Sequence, residues 1–397
     1  TDQGVAMRFT FDVIGDRCPP TGYPLYICLH GGGGCPAHVN DEQWRQMQMY
    51  YKHSVHCGVY VAPRACQDTW NCHWVGESFP LYDRLIQDMI AFMDVDPNRV
   101  YLLGYSAGGD GVYQIAPRMA DRWAGANMSA GHPNGASIHN LYHVPFLIQV
   151  GELDSAFKRN RVAVEWNTKL RDRAAKYPGG YVSECWVHKG AQHSYCQDRD
   201  PSGSCYPVVS AHGCGDGVAS CNTNAIAWLN AHARNPTPFH VIWDVATCAT
   251  RTRPAGALVE GLADLSKRFY WLDISGGPDR YDAACVEVRC DRDNNVIDLV
   301  SCGSWLRLLL DSRLVDLQKP VTIQSANYKC SVQLQPSLAT IARTLIERGD
   351  PELTFEAEVT LVWDGSACKV SSLGGKVISE EAVGEAVGPL SRELSKA

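Results

Sequence analysis

Residues 100–109 read VYLLGYSAGG, and this stretch decides the fold. A short apolar run of the kind that forms strands leads directly into the motif Gly-x-Ser-x-Gly, which is centred on Ser106. A helix-compatible segment follows at residues 112–116. A strand, a sharp turn and a helix in this order hold a serine at strained backbone angles and lift its hydroxyl to where a base can reach it. We therefore predict that Ser106 is a nucleophile.

Apolar runs and helix-like segments alternate on both sides of this motif. Strand-like runs cover residues 23–30, 55–62, 124–129, 145–150 and 181–188. With helical segments between them, they predict an α/β fold with a doubly wound, mostly parallel sheet. Ligands of such sheets bind at the carboxyl ends of the strands. Ser106, Asp154 and His193 all follow closely after predicted strands.

These three side chains form a candidate catalytic set. A serine hydroxyl needs a base to accept its proton, and the base needs a carboxylate that fixes its tautomer and stabilises its charged form. We predict that His193 is the base and Asp154 the acid for Ser106, because they follow it in the order serine, acid, histidine. Asp198 and Asp200 are alternative acids, but both come after the histidine.

A run of glycines follows the first predicted strand, in His30-Gly31-Gly32-Gly33-Gly34. Glycine lets backbone N–H groups approach a ligand closely, and such an element supplies one donor of an oxyanion hole in proteins with this nucleophile motif. We predict Gly32 or Gly33 as that donor and the amide of Ala107 as the other. A flexible loop is the alternative. A helix is predicted at about residues 41–53, with Asn40 and Asp41 as candidate caps.

Aromatic residues and a histidine lie near the same sheet edge. Trp70 and Trp74 occur in a loop at residues 66–74, where they either wall a substrate site or pack inside the protein. Tyr105 precedes the nucleophile, and His132 follows the next predicted strand. We predict all four as substrate-binding residues.

The motifs resemble those of α/β-hydrolase esterases of the polyhydroxybutyrate-depolymerase and feruloyl-esterase type, whose nucleophile motif also runs Gly-x-Ser-x-Gly-Gly. The resemblance covers about residues 20–235 and departs at Gln192, where the related pattern has glycine before the histidine. It implies an α/β-hydrolase that cleaves carboxylic esters, of small molecules or polymers, through an acyl-enzyme and without metal or cofactor. An acyltransferase or peptidase on the same triad, or a non-catalytic binding protein on this scaffold, remain alternatives.

The sequence divides near residue 235. Residues 1–235 are predicted as the catalytic domain, with a cysteine-rich insert at 196–221 that forms either a stapled lid or a surface elaboration. Short alternating runs then predict a smaller β-sandwich-like domain at 236–365, with one helix at about 337–348 that Ser337 caps. A packing or homodimer role, or the binding of a carbohydrate or polymer, is expected for it. Residues 366–397 are predicted as a polar tail.

Composition narrows the classes of partner and the compartment. The net charge is −7 without a basic block, which argues against nucleic acid, and the apolar runs are too short to span a membrane. The chain has 17 cysteines, which predicts disulfides, including Cys66 and Cys72 and the insert's cysteines, in a secreted protein or an oxidising compartment. Cys28 and Cys185, within predicted strands, are expected to be buried thiols.

Overall fold

The computed structural model describes residues 5–16, 19–193, 208–210, 222–248, 259–260, 267–278, 280–281, 283–363 and 368–382. The chain forms two compact units, Thr1–Asn235 and Pro236–Ala397. The first unit is built on one eight-stranded sheet, and the second contains smaller sheets.

The eight-stranded sheet is mostly parallel, as predicted. Its strands are β1 (Phe9–Ile14), β2 (Tyr23–Leu29), β3 (Gly58–Pro63), β4 (Val95–Tyr105), β5 (Gly125–Ser129), β6 (Phe146–Gly151), β7 (Ser183–His188) and β8 (Val208–Ser210). The helices are α1 (Ala37–Tyr50), α2 (Ser78–Phe92), α3 (Ala107–Arg118), α4 (Arg159–Lys176) and α5 (Asn222–Asn230). The strand order is β1-β3-β2-β4-β5-β6-β7-β8, in which β1 and β8 pair antiparallel at the two edges and β2 to β7 run parallel.

Burial explains which strands the sequence revealed. Nearly every residue of β2, β3, β5 and β6 is buried, as expected for central parallel strands covered on both faces. Strand β1 was not predicted. Its residues are mostly exposed, because it lies at the edge of the sheet, so its sequence carries little apolar signal.

Helix α1 begins earlier than predicted. Pro36 is the residue before its first turn, and the backbone N–H of Asn40 already bonds to the carbonyl of Pro36. Proline suits a helix start because it has a fixed φ and no N–H that would need an acceptor. The predicted capping role of Asn40 and Asp41 is therefore wrong, and the Asn40 side chain has other partners.

The described residues of the second unit form three sheets. Its strands are β9 (His240–Asp244), β10 (Val259–Glu260), β11 (Arg268–Phe269), β12 (Leu272–Asp273), β13 (Arg280–Tyr281), β14 (Cys285–Asp291), β15 (Val296–Ser301), β16 (Trp305–Leu310), β17 (Val321–Ser325), β18 (Tyr328–Gln333), β19 (Ala357–Trp363), β20 (Cys368–Ser372) and β21 (Lys376–Ala382). They form a six-stranded sheet (β21-β18-β17-β15-β14-β9), a five-stranded sheet (β11-β12-β16-β19-β20) and the pair β10-β13. A β-sandwich-like arrangement of the larger sheets stays a prediction.

The helix predicted in this unit is confirmed as α6 (Leu338–Arg348). Its cap is Ser337, whose side-chain oxygen accepts the N–H of Thr340, and its end is Gly349 in the left-handed conformation with φ of 55°. Serine and glycine are typical at these two positions, because serine binds a free N–H and glycine adopts positive φ without strain. No helix in the described ranges is both long and apolar enough to cross a bilayer.

The prediction of a polar tail from residue 366 is wrong for residues 368–382. Strand β20 pairs with β19, and β21 pairs with β18, both in antiparallel register. The two added strands stand at sheet edges, where exposed positions tolerate lysine, serine and glutamate between the apolar ones. Their polar composition therefore concealed them. Residues 383–397 lie outside the described part of the chain.

The disulfide prediction is wrong for the described cysteines. Eleven are free thiols, among them Cys66 and Cys72. Burial raises the pKa of the Cys72 thiol to about 12, and its side chain packs with Ala65 and Ala107 in a small apolar cluster. Cys28 and Cys185 are buried thiols, as predicted. The cysteines of the 196–221 insert lie outside the described residues. Of the insert, the structure describes residues 208–210, which form strand β8 at the edge of the sheet, and a lid stays a prediction.

Candidate active site

Ser106 occupies the sharp turn that its sequence motif predicted. Strand β4 ends at Tyr105, α3 begins at Ala107, and Ser106 between them has φ of 56° and ψ of −118°. Its N–H donates to the carbonyl of Ser129 at 2.9 Å. The neighbouring glycines are required by space, because a Cβ on Gly108 would lie 2.1 Å from the carbonyl oxygen of Leu29. The turn thus holds the serine in a strained conformation that its surroundings fix.

The structure brings Ser106, His193 and Asp154 together in one hydrogen-bonded chain. Nε2 of His193 lies 3.0 Å from Oγ of Ser106, and Nδ1 lies 2.8 Å from Oδ2 of Asp154. The Asp154 carboxylate only accepts, so Nδ1 carries the proton and Nε2 is left to accept from the serine hydroxyl. Asp154 is 2% exposed, whereas the His193 side chain is 37% exposed.

The loops that carry the acid and the histidine are packed against each other. Leu153 donates its N–H to the carbonyl of Ala191 at 2.8 Å. A Cβ on Gly151 would lie 2.0 Å from the carbonyl oxygen of Gln192, so only glycine fits at the end of β6. Arg159, at the start of α4, places Nη1 3.7 Å from Oδ1 of Asp154. These contacts fix Asp154 beside His193.

Tyr105 was predicted to bind substrate, and the structure corrects this. It is only 8% exposed. Its hydroxyl donates to the backbone carbonyl of His193 at 2.8 Å, and its ring packs against the His193 imidazole with centroids 5.4 Å apart. The ring also stacks on that of Tyr50, with centroids 5.3 Å apart. Tyr105 therefore supports the histidine loop from inside the fold.

The glycine run is corrected in one respect. The N–H of Gly33 donates to Oδ1 of Asn40 at 2.8 Å in a buried contact, so it is not a free donor. Within the described residues the N–H of Gly32 has no acceptor. Ala107 is the first residue of α3, where N–H groups have no intrahelical partner. A Cβ on Gly33 would lie 3.4 Å from that of Ala107, so the glycine run and the helix start are adjacent.

Two buried histidines, His30 and His73, hold the backbone at the start of the glycine run. Their role was not predicted from the sequence. His30 accepts the N–H of Ala65 on Nε2 at 3.0 Å and donates from Nδ1 to the carbonyl of Gly31. His73 donates from Nε2 to the carbonyl of His30 at 2.9 Å. Burial lowers the pKa of His30 to about 4 and that of His73 well below its usual range. Both imidazoles are therefore neutral at pH 7.

The low pKa of His30 makes stability depend on pH. Its pKa in the unfolded chain is about 6.5, so between pH 6.5 and 4 the unfolded state binds more protons, and stability falls as the pH is lowered through this window. We expect the unfolding free energy of the wild type to fall between pH 7 and pH 4.5. In a His30→Gln variant, which keeps an acceptor for Ala65, this fall should be smaller by roughly 2 kcal/mol. Urea unfolding at both pH values measures this. Equal losses in the two proteins would contradict it.

An exposed aromatic ring lies beside the glycine run, and a second exposed ring packs on it. Trp70 is 65% exposed, and a Cβ on Gly34 would lie 2.8 Å from its Nε1. Its ring meets that of Phe157 edge to face, with centroids 6.3 Å apart. Phe157 is 66% exposed in a turn of positive φ after Asp154, and no sequence pattern pointed to it. Trp74 is half-buried with its indole nitrogen in the interior, so packing describes it better than substrate binding.

His132 is half-buried next to the first turn of α3. Its backbone N–H donates to Oδ1 of Asp110 at 2.7 Å, and its Nδ1 lies 2.9 Å from Oδ1 of Asn134. Burial raises the pKa of Asp110. His132 is held in place by these contacts, so its role as a substrate contact stays a prediction. No group of three or more potential ligands is placed to hold a metal in the described part of the chain.

The mostly parallel sheet of the first unit, with the strand–turn–helix at Ser106 and the chain order serine, acid, histidine, is typical of the α/β-hydrolase fold. No protein-family model matches the chain, and no curated protein sequence matches it. Solved structures that are similar to it include esterases of the kind that the motifs resemble.

A thermostable esterase is 20% identical with a TM-score of 0.38, over 57% of this chain and 59% of its own. A poly(3-hydroxybutyrate) depolymerase from Bordetella parapertussis is 16% identical with a TM-score of 0.37, over 47% of this chain and 78% of its own. A ferulic acid esterase is 14% identical with a TM-score of 0.31, over 48% of this chain and 92% of its own. The present chain thus spans less than two thirds of the length of the thermostable esterase.

Proposed function

We propose that this protein is a serine hydrolase that cleaves carboxylic esters through an acyl-enzyme. One observation carries the proposal: the imidazole of His193 bridges the hydroxyl of Ser106 and the buried carboxylate of Asp154 through bonds of 3.0 and 2.8 Å. A serine at strained backbone angles with a base at its hydroxyl is the arrangement that acyl transfer requires.

In the proposed acylation step, Oγ of Ser106 attacks the ester carbonyl carbon while Nε2 of His193 accepts the hydroxyl proton. The negative charge that develops on the carbonyl oxygen is bound by the N–H groups of Gly32 and Ala107. The tetrahedral intermediate then expels the alcohol, which takes the proton from His193. Asp154 stabilises the imidazolium and keeps its proton on Nδ1.

In the proposed deacylation step, water takes the place of the alcohol. Nε2 of His193 accepts a proton from the water as its oxygen attacks the acyl carbon, and then returns it to Oγ of Ser106 as the acid leaves. The imidazole is 37% exposed, which supports access by water. A peptidase on the same residues has no separate observation in its favour.

We infer that Trp70 and Phe157 contact the substrate. Both rings are exposed, Trp70 lies against Gly33 and Gly34, and Phe157 packs on Trp70. Their surface suits an apolar or planar part of a small or polymeric ester. A homodimer through the second unit and an oxidising compartment stay predictions from the sequence.

A fluorophosphonate probe tests the proposed function. The reagent phosphonylates a serine only when a base accepts its proton, so we expect one covalent label per chain, on Ser106, with loss of p-nitrophenyl acetate hydrolysis in proportion to labelling. Peptide mass spectrometry locates the label. A folded protein that remains unlabelled would support the non-catalytic alternative.

A further inference from the structure

Asn40 makes a two-point contact with the glycine run. Its side chain is fully buried in the first turn of α1. Oδ1 accepts the N–H of Gly33 at 2.8 Å, and Nδ2 donates to the carbonyl of the same residue at 2.9 Å. Because both polar groups of one residue are held, the backbone of Gly33 cannot rotate without breaking a buried hydrogen bond. Such a break costs about 1–3 kcal/mol.

A second contact orients the Asn40 amide. Nδ2 also donates to Oδ1 of Asp68 at 2.7 Å, and Asp68 pairs with the buried guanidinium of Arg64. Burial alone would raise the pKa of Asp68, but the hydrogen bonds from Arg64 and Asn40 outweigh it and lower that pKa. An ionised carboxylate only accepts hydrogen bonds, so the NH₂ group of Asn40 must face Asp68. The oxygen of Asn40 is thereby directed at Gly33.

The contact between Asn40 and Gly33 also restricts the neighbouring residue, Gly32. Gly32 has φ of 106°, and a Cβ there would lie 2.1 Å from Oδ1 of Asn40. Gly32 and Gly33 were the two predicted oxyanion donors. Because the N–H of Gly33 is bonded to Asn40, the N–H of Gly32 is the one that can bind the oxyanion. The run lies against Ala107, whose amide is the other proposed donor.

We propose that Asn40 is a positioning residue for the oxyanion-binding amides, held in orientation by Asp68 and Arg64. This inference rests on the proposed ester hydrolysis. Asn40 touches no reacting atom and acts through Gly33. Its contribution is to the transition state, because the amides have to fit the tetrahedral oxyanion better than the planar carbonyl.

Asn40→Asp tests this proposal. The substituted side chain keeps an acceptor for the Gly33 N–H but loses both donated bonds and sets a second carboxylate against Asp68. Loss of one oxyanion donor costs about 10²–10³ in kcat, so displacement of the run should lower kcat by about 10–100-fold, with KM changed less than threefold. The inhibition constant of a trifluoromethyl ketone, whose adduct carries the same oxyanion, should rise by a similar factor.

Asn167→Asp is the matched control. Asn167 is a buried asparagine of α4, 2% exposed, that belongs to neither the glycine run nor the hydrogen-bonded chain at Ser106. It should lower stability but leave kcat and the inhibition constant, per folded molecule, within twofold of wild type. If Asn40→Asp fails to fold, Asp68→Asn takes its place. It removes the charge that orients the Asn40 amide and pairs with Arg64 but leaves Asn40 itself unchanged, and a decrease of about 3–10-fold in kcat is then expected.

The outcomes separate this inference from the proposed function. Wild-type protein that neither hydrolyses esters nor reacts with a fluorophosphonate would refute the function and the inference with it. A second outcome is that the wild type is active and that Asn40→Asp, or Asp68→Asn in its place, has a kcat and an inhibition constant within twofold of the wild-type values. This outcome would overturn the positioning role alone. If the control Asn167→Asp lowers kcat by the same factor as Asn40→Asp, the effect of Asn40→Asp reflects lost stability. That result would overturn the positioning role as well.

Discussion

Ser106→Ala is expected to lower the kcat for p-nitrophenyl acetate hydrolysis by about 10⁴-fold or more. Alanine removes the oxygen that would form the proposed acyl-enzyme, while the proposed oxyanion donors remain to bind the ester. KM should therefore change little. Initial rates at saturating substrate, with enough protein to detect the uncatalysed background, measure the effect.

Ser312→Ala is the matched control for this result. Ser312 is an exposed serine of the second unit, and the same substitution there should leave the rate within twofold. Thermal unfolding of both variants checks that the fold is intact. If Ser106→Ala retains a tenth or more of wild-type activity, another residue is the nucleophile.

Asp154→Asn is expected to lower kcat by about 10³–10⁴-fold. The carboxylate accepts from Nδ1 of His193 at 2.8 Å, whereas an amide can place its NH₂ there and so favour the tautomer with the proton on Nε2. That tautomer cannot accept the Ser106 proton. The imidazolium of the transition state also loses its counter-charge. Steady-state kinetics at pH 7 to 9 measure the loss.

Asp198→Asn and Asp200→Asn provide the comparison for this prediction. Both aspartates were alternative acids in the sequence and lie outside the described residues. Their variants should keep activity within about threefold, because Nδ1 of His193 already has Asp154 as its partner. A large loss at either position, with near-normal turnover in Asp154→Asn, would transfer the role of the acid to it.

The grouping of Ser106, Asp154 and His193 was open to prediction because each follows closely after a parallel strand. Parallel strands end at one edge of the sheet, so residues far apart in the chain meet there without any long-range information. The turn at Ser106 is equally local, since glycines two residues to either side suffice to make it. Most of the first unit followed from the same alternation of apolar runs.

The contacts of Asn40 and Phe157 could not be predicted from the sequence. Asn40 looked like a helix cap, because the sequence gives no sign that the residue's amide faces the glycine run rather than its own helix. Phe157 depends on two consecutive residues with positive φ, and neither is glycine. The prediction for Tyr105 was wrong for a related reason. The side chain of a residue directly before the serine can face either the substrate or the core, and the sequence does not say which. Edge strands β1, β20 and β21 escaped because they bury little apolar surface.

The positive φ of Ser106 has a consequence for how variants of this protein are judged. Glycine adopts such a conformation freely, whereas a serine held there costs of order 1–3 kcal/mol. A chain with glycine at position 106 would lack the proposed nucleophile, and we expect it to melt at a higher temperature. Selection of variants by thermal stability alone would then favour glycine at this position over the serine on which the proposed turnover depends.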